Sequence, residues 1–361
     1  MKSSLFIAVL LTCFVEGYAQ GSHKTENIVL ITLDGFRWQE VFNGGDSAFM
    51  RQQTYLKDAK LKEKYWRNDL AERRKALLPF FWSTIAAKGQ LHGSRDVGSK
   101  VNVSNNQWFS YPGYNEILTG KADNERIHSN DKFYNPNTNV LEFINSQAVF
   151  RSKVAAFTSW DVFPYIINDK RNGIFVSTGV AEVTGDELTD AEKTMNKLIL
   201  TVPNPLGDVR LDAFTFYYGL EYLKKKRPKV MYFSFDETDD FAHAGEYGAY
   251  LNSAHNTDRF IGELWSFLQS DAQYKDKTTL IITCDHGRGP GAEDWKTHGA
   301  QVVGSDQIWI AAIGPDTAPS GESKTESQYY QNQLARTMAS LLGLNYKGEG
   351  KIGGEIVSIL K

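Results

Sequence analysis

Cysteine is nearly missing: the 361 residues contain two, Cys13 and Cys284. With Cys13 in an N-terminal apolar stretch that is expected to be removed, no internal disulfide is available. Stability must then come from a packed core. An excess of one charge is missing too, with 40 basic and 43 acidic residues and a formal net charge of −3. That balance gives no reason to expect a nucleic acid or an anionic membrane as partner. The basic run Lys224-Lys225-Lys226-Arg227 ends an expected helix, where cations suit the helix dipole. Internal repeats, low-complexity tracts and Pro/Gly/Ser linkers are absent, so residues 20–361 read as one domain. Beyond the N-terminus no apolar run approaches the roughly 20 residues of a membrane span.

What is present begins at the N-terminus. Lys2, the apolar run Leu5 to Val15 and the small residues of Gly17-Tyr18-Ala19 follow the pattern of a secretory signal peptide, residues 1–19, cleaved after Ala19. The rival reading is a lipoprotein signal ending at Cys13, which Thr12 fits poorly. The expected location is therefore periplasmic or extracellular.

Short apolar runs at Ile28–Leu33, Val154–Thr158, Val230–Phe235, Thr279–Cys284 and Gln307–Ile313 predict buried strands. Helical spacing runs through Asp69–Lys88, Leu211–Lys226, Tyr247–Ser270 and Gln328–Leu342. The alternation predicts an α/β fold, a mostly parallel central sheet with helices on both faces. The charged stretch Met50–Arg74 predicts an exposed helical insertion after the first strand. Acidic clusters follow three of the strands: Asp34, Asp236 to His243, and Asp285-His286. The C-terminal edge of such a sheet is where ligands bind. Helix capping would account for any one of these clusters, but not readily for all three.

Asp239 and His243 are four apart and share a helical face, while His298 sits in a glycine-containing loop downstream. Imidazole and carboxylate donors together suit zinc, where an all-oxygen set would suit calcium or magnesium. Ser110, at a tight turn before a short helical pattern, is the candidate nucleophile, the bland alternative being an N-cap serine.

Leu33-Asp34-Gly35-Phe36, Ser110-Tyr111-Pro112, Asp239-x-x-x-His243, Asp285-His286-Gly287 and His298-Gly299 resemble, in content and order, the alkaline phosphatase superfamily. The likeness is to its type I phosphodiesterase/nucleotide pyrophosphatase branch, and it runs from about Asn27 to His298. Ser110 precedes Gly120 by ten residues, the spacing of that family's nucleophile from its glycine. The resemblance implies an alkaline phosphatase-like fold and hydrolysis of a small-molecule phosphate ester through a phosphoseryl intermediate. It also implies two divalent metal ions, zinc first and manganese or iron as substitutes, with no organic cofactor. Asp239, His243 and His298 would hold one ion; Asp34, Asp285 and His286 would hold the other beside Ser110. Asp240 rivals Asp239, and Asp236 is a weaker candidate.

The sequence departs from the branch at Gly113, where an asparagine that holds a phosphoryl oxygen is expected. Asn115, Asn106 or a backbone amide are the candidate replacements. Trp160 and Asp161 follow a strand at the functional edge and are expected near the substrate. Rings at Trp38, Trp108, Phe109, Tyr111, Tyr114 and Trp160 would serve either stacking or packing. A sulfatase-like relative would need arginine where Tyr114 stands; a phosphosugar mutase fits poorly with export; a non-catalytic metal-containing binding protein would need neither nucleophile nor complete ligand set.

Overall fold

The computed structural model describes residues 23–52, 54–55, 58–185 and 187–360; the expected signal peptide lies outside them. Among the described residues eleven strands are formed: β1 (Asn27–Leu33), β2 (Gln90–His92), β3 (Ser99–Asn102), β4 (Val154–Thr158), β5 (Phe175–Thr178), β6 (Val230–Phe235), β7 (Thr278–Thr283), β8 (Gln307–Ile308), β9 (Ile310–Ile313), β10 (Gly321–Glu322) and β11 (Ser327–Tyr330). Eight make one sheet in the order β10-β2-β9-β7-β1-β6-β4-β5, and three make a small sheet in the order β11-β3-β8. Every pairing from β7 through β5 is parallel, and β9 is the strand that runs against its neighbours. The expectation of a mostly parallel sheet flanked by helices is met.

The interior strands are apolar throughout because both faces are covered. Every residue of β1, β4, β6 and β7 is buried. The helix Tyr247–Ser270 buries Tyr250, Leu251, Ala254, Ile261, Leu264 and Leu268, the three-and-four spacing of one apolar stripe. Its Phe260 stacks on Phe216 of the helix Asp212–Lys226, with ring centroids 4.6 Å apart.

Four expectations need correction in detail. The run Gln307–Ile313 is two strands: Trp309 turns out of the line to donate to the Phe36 carbonyl at 2.8 Å, leaving β8 to pair with β3 and β9 with β7. The helix expected over Gln328–Leu342 starts only at Leu334, since Ser327–Tyr330 pairs with β3. The helix expected over Asp69–Lys88 stops at Leu77 before Pro79, which has no N–H to give, and resumes as a wide turn over Phe81–Ile85. The insertion at 50–74 carries the exposed helix Ala59–Tyr65, yet Met50, Tyr55 and Tyr65 are buried and anchor it.

Candidate metal centre

β7, β1 and β6 are neighbours, so their C-terminal ends lie side by side. Asp34 follows β1, Asp285-His286 follows β7, and the helix Glu237–His243 starts two residues after β6 ends. The helix Ser110–Thr119 packs against this edge and presents Ser110 at its first residue; it ends at Gly120, in the left-handed region at φ 78°. The ten-residue interval from Ser110 to Gly120 is thus the length of one helix.

His286 Nε2 is the point of convergence. It lies 3.3 Å from Asp34 Oδ1, 3.4 Å from Asp285 Oδ2, 3.4 Å from Ser110 Oγ and 3.8 Å from Asp239 Oδ1. Its Nδ1 faces the Gly287 carbonyl at 2.9 Å. A carbonyl only accepts, so the proton sits on Nδ1 and Nε2 carries a lone pair. His298 is arranged likewise, with Nδ1 3.3 Å from the Trp108 carbonyl. The His298 Nε2 is 3.0 Å from His243 Nε2 and 3.7 Å from Asp239 Oδ1. His243 Nε2 is in turn 3.2 Å from Asp239 Oδ2. The rings of His286 and His298 stack at 3.9 Å, bringing the two clusters into one.

Electrostatics set these groups apart. Burial, then the Asp239 charge, pushes Asp34 up to about 7. Burial, then Asp34, holds Asp285 well above the carboxylate range. Burial drives His286 down to about 4; burial and then His286 drive His298 down to about 3. Burial alone would raise Asp239, but the Arg288 guanidinium and the His243 hydrogen bond hold it well below the usual range. Asp34 Oδ1 and Asp285 Oδ2 are buried without any hydrogen-bond donor. Two orphaned carboxylate oxygens aimed at an imidazole lone pair are what a cation would satisfy. The mixed nitrogen and oxygen donors fit zinc.

The remaining expected residues are distributed unevenly. Asp240 is next to Asp239 but one of its oxygens, Oδ2, is buried without a partner; Asp236 is buried at the head of the same helix. Asn115 does not reach the site: it is fully buried, donating to the Lys121 carbonyl and accepting from Asn135 and Asn137. Asn106 is committed through its backbone to Asn124. The position of Gly113 has no room for an asparagine, since a Cβ there would stand 2.4 Å from the Asp285 carbonyl oxygen. Past Ser110 the backbone amides offer little: Tyr111 donates to Asn130 Oδ1 at 3.0 Å, Pro112 has no N–H, and Gly113 donates to the Phe109 carbonyl. Asn130, which sequence reasoning passed over, comes from the loop after the helix and carries no local signal. Tyr114 donates to Asp34 Oδ2, which accounts for a phenol where a sulfatase would carry arginine.

Trp160 is half-buried and meets Phe163 edge-on at 6.4 Å, and Asp161 pairs with Lys132 at 2.5 Å. Two of the other rings are packing: Tyr111 stacks on Phe133 at 4.8 Å, and the Trp38 indole donates to Gln307. Cavities of about 420 and 430 Å³ lie elsewhere, against Phe157 and Tyr222 and against Phe143 and Tyr346. The chemistry is therefore located by its donor set and not by cavity size.

Residues 49–334 match the family described as type I phosphodiesterase / nucleotide pyrophosphatase, a segment that begins after Asp34. The sequences of curated proteins yield no match. The fold is similar to that of the alkaline phosphatase PafA, at 11% identity and a TM-score of 0.60 over 94% of this chain and 99% of that one. It is also similar to the lipoteichoic acid synthase LtaP of Listeria monocytogenes, at 12% identity and a TM-score of 0.58 over 93% and 76% of the two chains. The phosphonate monoester hydrolase of Agrobacterium radiobacter shares 13% identity at a TM-score of 0.55, over 93% and 77%.

Proposed function

The chain belongs to the type I phosphodiesterase/nucleotide pyrophosphatase family, and from that premise we propose that it cleaves phosphodiesters with two zinc ions and with Ser110 as nucleophile. It is a metal-dependent phosphoric ester hydrolase of the alkaline phosphatase superfamily. The observation that carries the finer reading is the meeting of Ser110 Oγ, Asp34 and Asp285 around His286 Nε2, each within 3.4 Å.

Asp34, Asp285 and His286 would hold one ion, and Asp239, His243 and His298 the other. When bound, such a pair lowers the pKa of the serine hydroxyl and draws charge from the phosphoryl oxygens. Ser110 Oγ, its proton released to solvent, attacks phosphorus; the bond to the ester oxygen breaks on the opposite side, that oxygen takes up a proton and leaves as the alcohol, and a phosphoseryl ester forms. Water arriving where the alcohol left then opens that ester and restores Ser110. The His243 side chain is 45% exposed while that of His286 is fully buried, so the leaving alcohol and the water belong on the His243 side. Asn130 holds the Tyr111 amide through its oxygen, and we place its amide nitrogen on a phosphoryl oxygen. Trp160 is assigned to the leaving group, with Asp161 behind it holding Lys132.

A diester carries one negative charge at the phosphoryl group and a monoester nearly two. Lys132 is paired with Asp161 and Arg288 with Asp239, so neither is free to meet a second charge. That supports the diester over the monoester. We also take residues 1–19 as an export signal and 20–361 as one catalytic unit; N-terminal sequencing of the protein from a cell envelope fraction tests the cut after Ala19.

The decisive experiment measures bound zinc together with turnover of bis-nitrophenyl phosphate and nitrophenyl phosphate. Faster turnover of the diester, lost in Ser110→Ala with zinc retained, is the expected result. Equal activity in Ser110→Ala would remove the nucleophile, and a zinc-loaded protein inert toward both esters would leave a binding protein.

A further inference from the structure

The two donor clusters are not equivalent in what stands behind their carboxylates. Asp34 is supported by a neutral phenol, Tyr114, and Asp285 by a neutral amide, the N–H of Gly35 at 3.1 Å. Asp239 is supported by a full positive charge. The Arg288 guanidinium donates from Nη2 to Asp239 Oδ1 and to the Asp239 carbonyl at 3.2 Å, and from Nη1 to the Trp295 carbonyl at 3.4 Å. Its side chain is fully buried, and its Nε has no acceptor.

Space around this contact is tightly defined. Gly35 sits at φ 56°, and a Cβ there would lie 2.7 Å from Asp239 Oδ1 and 2.8 Å from Arg288 Nε. Asp239 Oδ1 faces the guanidinium as well as His298 at 3.7 Å and His286 at 3.8 Å, and Oδ2 faces His243 at 3.2 Å. Its charge is thus already met by Arg288. His243 and His298 add neutral donors, whereas Asp34 and Asp285 bring to His286 two carboxyl groups with no cationic side chain bonded to either.

We propose that Arg288 is a positioning residue that makes the Asp239–His243–His298 site the weaker, later-filled and more exchangeable of two zinc sites. A buried unit charge a few ångströms from a cation site opposes cation binding, because little water lies between to screen it. The inference rests on the two-site reading above.

The test titrates metal-free full-length protein with zinc against a chromophoric chelator. Wild type should fill in two steps, with His243→Ala abolishing the weaker and Asp285→Asn the tighter. Arg288→Gln, neutral but still a donor to Asp239, should tighten the weaker step roughly tenfold or more and leave the tighter step unchanged. Arg288→Lys, which keeps the charge, should stay close to wild type in both steps. Two equal sites in wild type, loss of the tighter step in His243→Ala, or an unchanged or loosened weaker step in Arg288→Gln would each overturn the role of Arg288. The His243→Ala and wild-type titrations can overturn the site order, and with it the role of Arg288, even if the arginine variants do not fold. Binding of fewer than two zinc ions by wild type would instead overturn the two-site reading on which the inference stands.

Discussion

The Tyr114 phenol donates to Asp34 Oδ2 at 2.8 Å, tying the helix that carries Ser110 to the residue that ends β1. Both groups are buried, and Ser234 donates to the same phenol oxygen at 3.3 Å. The bond fixes which oxygen of Asp34 is left facing His286. Tyr114→Phe keeps the ring contact with Phe163, at 4.7 Å, and removes the bond to Asp34 together with the longer one from Ser234. Loss of such a supporting bond commonly costs about 10–100-fold in metal affinity or activity. Zinc affinity and kcat of Tyr114→Phe should fall together in that range with the thermal midpoint little changed; unaltered zinc affinity would show that Asp34 needs no help from the phenol.

Gly113 is the point where the Ser110 helix touches the backbone after β7. A methyl group there meets the Asp285 carbonyl oxygen at 2.4 Å, with no flexible side chain to give way. Gly113→Ala should push the helix from Asp285, lengthen the Ser110–His286 separation and lower activity by roughly 100-fold, the scale expected for a misplacement of about 1 Å. Wild-type kinetics in this variant would mean that the helix is free to shift without consequence.

Asp258 provides a pH test away from the metal centre. Its carboxylate accepts from the N–H groups of Phe80 and Phe81, where Pro79 breaks the helical run. Burial raises it from 3.8 to about 7 despite those bonds. The folded protein therefore keeps this proton up to about pH 7, whereas the unfolded chain releases it near 3.8. The stabilising contribution is complete below pH 3.8 and is lost as pH rises through about 7. Asp258→Asn should lose about 1 kcal/mol at pH 5 from the missing acceptor, and its thermal midpoint should fall less than wild type between pH 5 and pH 8. Parallel pH curves for the two proteins would contradict the raised carboxyl.

Chelation should abolish activity and lower the thermal midpoint by several degrees, because the ions bind only the folded chain. At a thousandfold excess over Kd, one ion contributes about 4 kcal/mol. Zinc should restore both properties, and calcium neither, since three of the six donors are imidazoles. Recovery with calcium would point to an oxygen-lined site elsewhere.

Much of the fold was legible because interior parallel strands are covered on both faces and must be apolar along their whole length. β1, β4, β6 and β7 announced themselves in this way, and the helix Tyr247–Ser270 did so through its stripe. β2, β3, β5, β10 and β11 did not, being two to four residues long and paired only through tertiary context. The clustered acids and histidines were legible because they stand directly after strands whose neighbours bring them together. Asn115 was misplaced for a geometric reason: five residues on from Ser110, at about 100° per residue, it points some 140° away round the helix. Asn130 was invisible because its role depends on a loop folding back onto the Tyr111 amide. Arg288 stands beside a recognised motif, yet nothing local reveals that its guanidinium reaches across to Asp239.

The order β7-β1-β6 has a further consequence. Adjacent hydrogen-bonded backbones lie about 4.8 Å apart, whatever their side chains. Three donor-bearing chain ends on consecutive strands are thereby ruled off at a fixed interval that no loop has to maintain. The surrounding loops are left at liberty to change the choice of ester while the spacing of the charges stays constant.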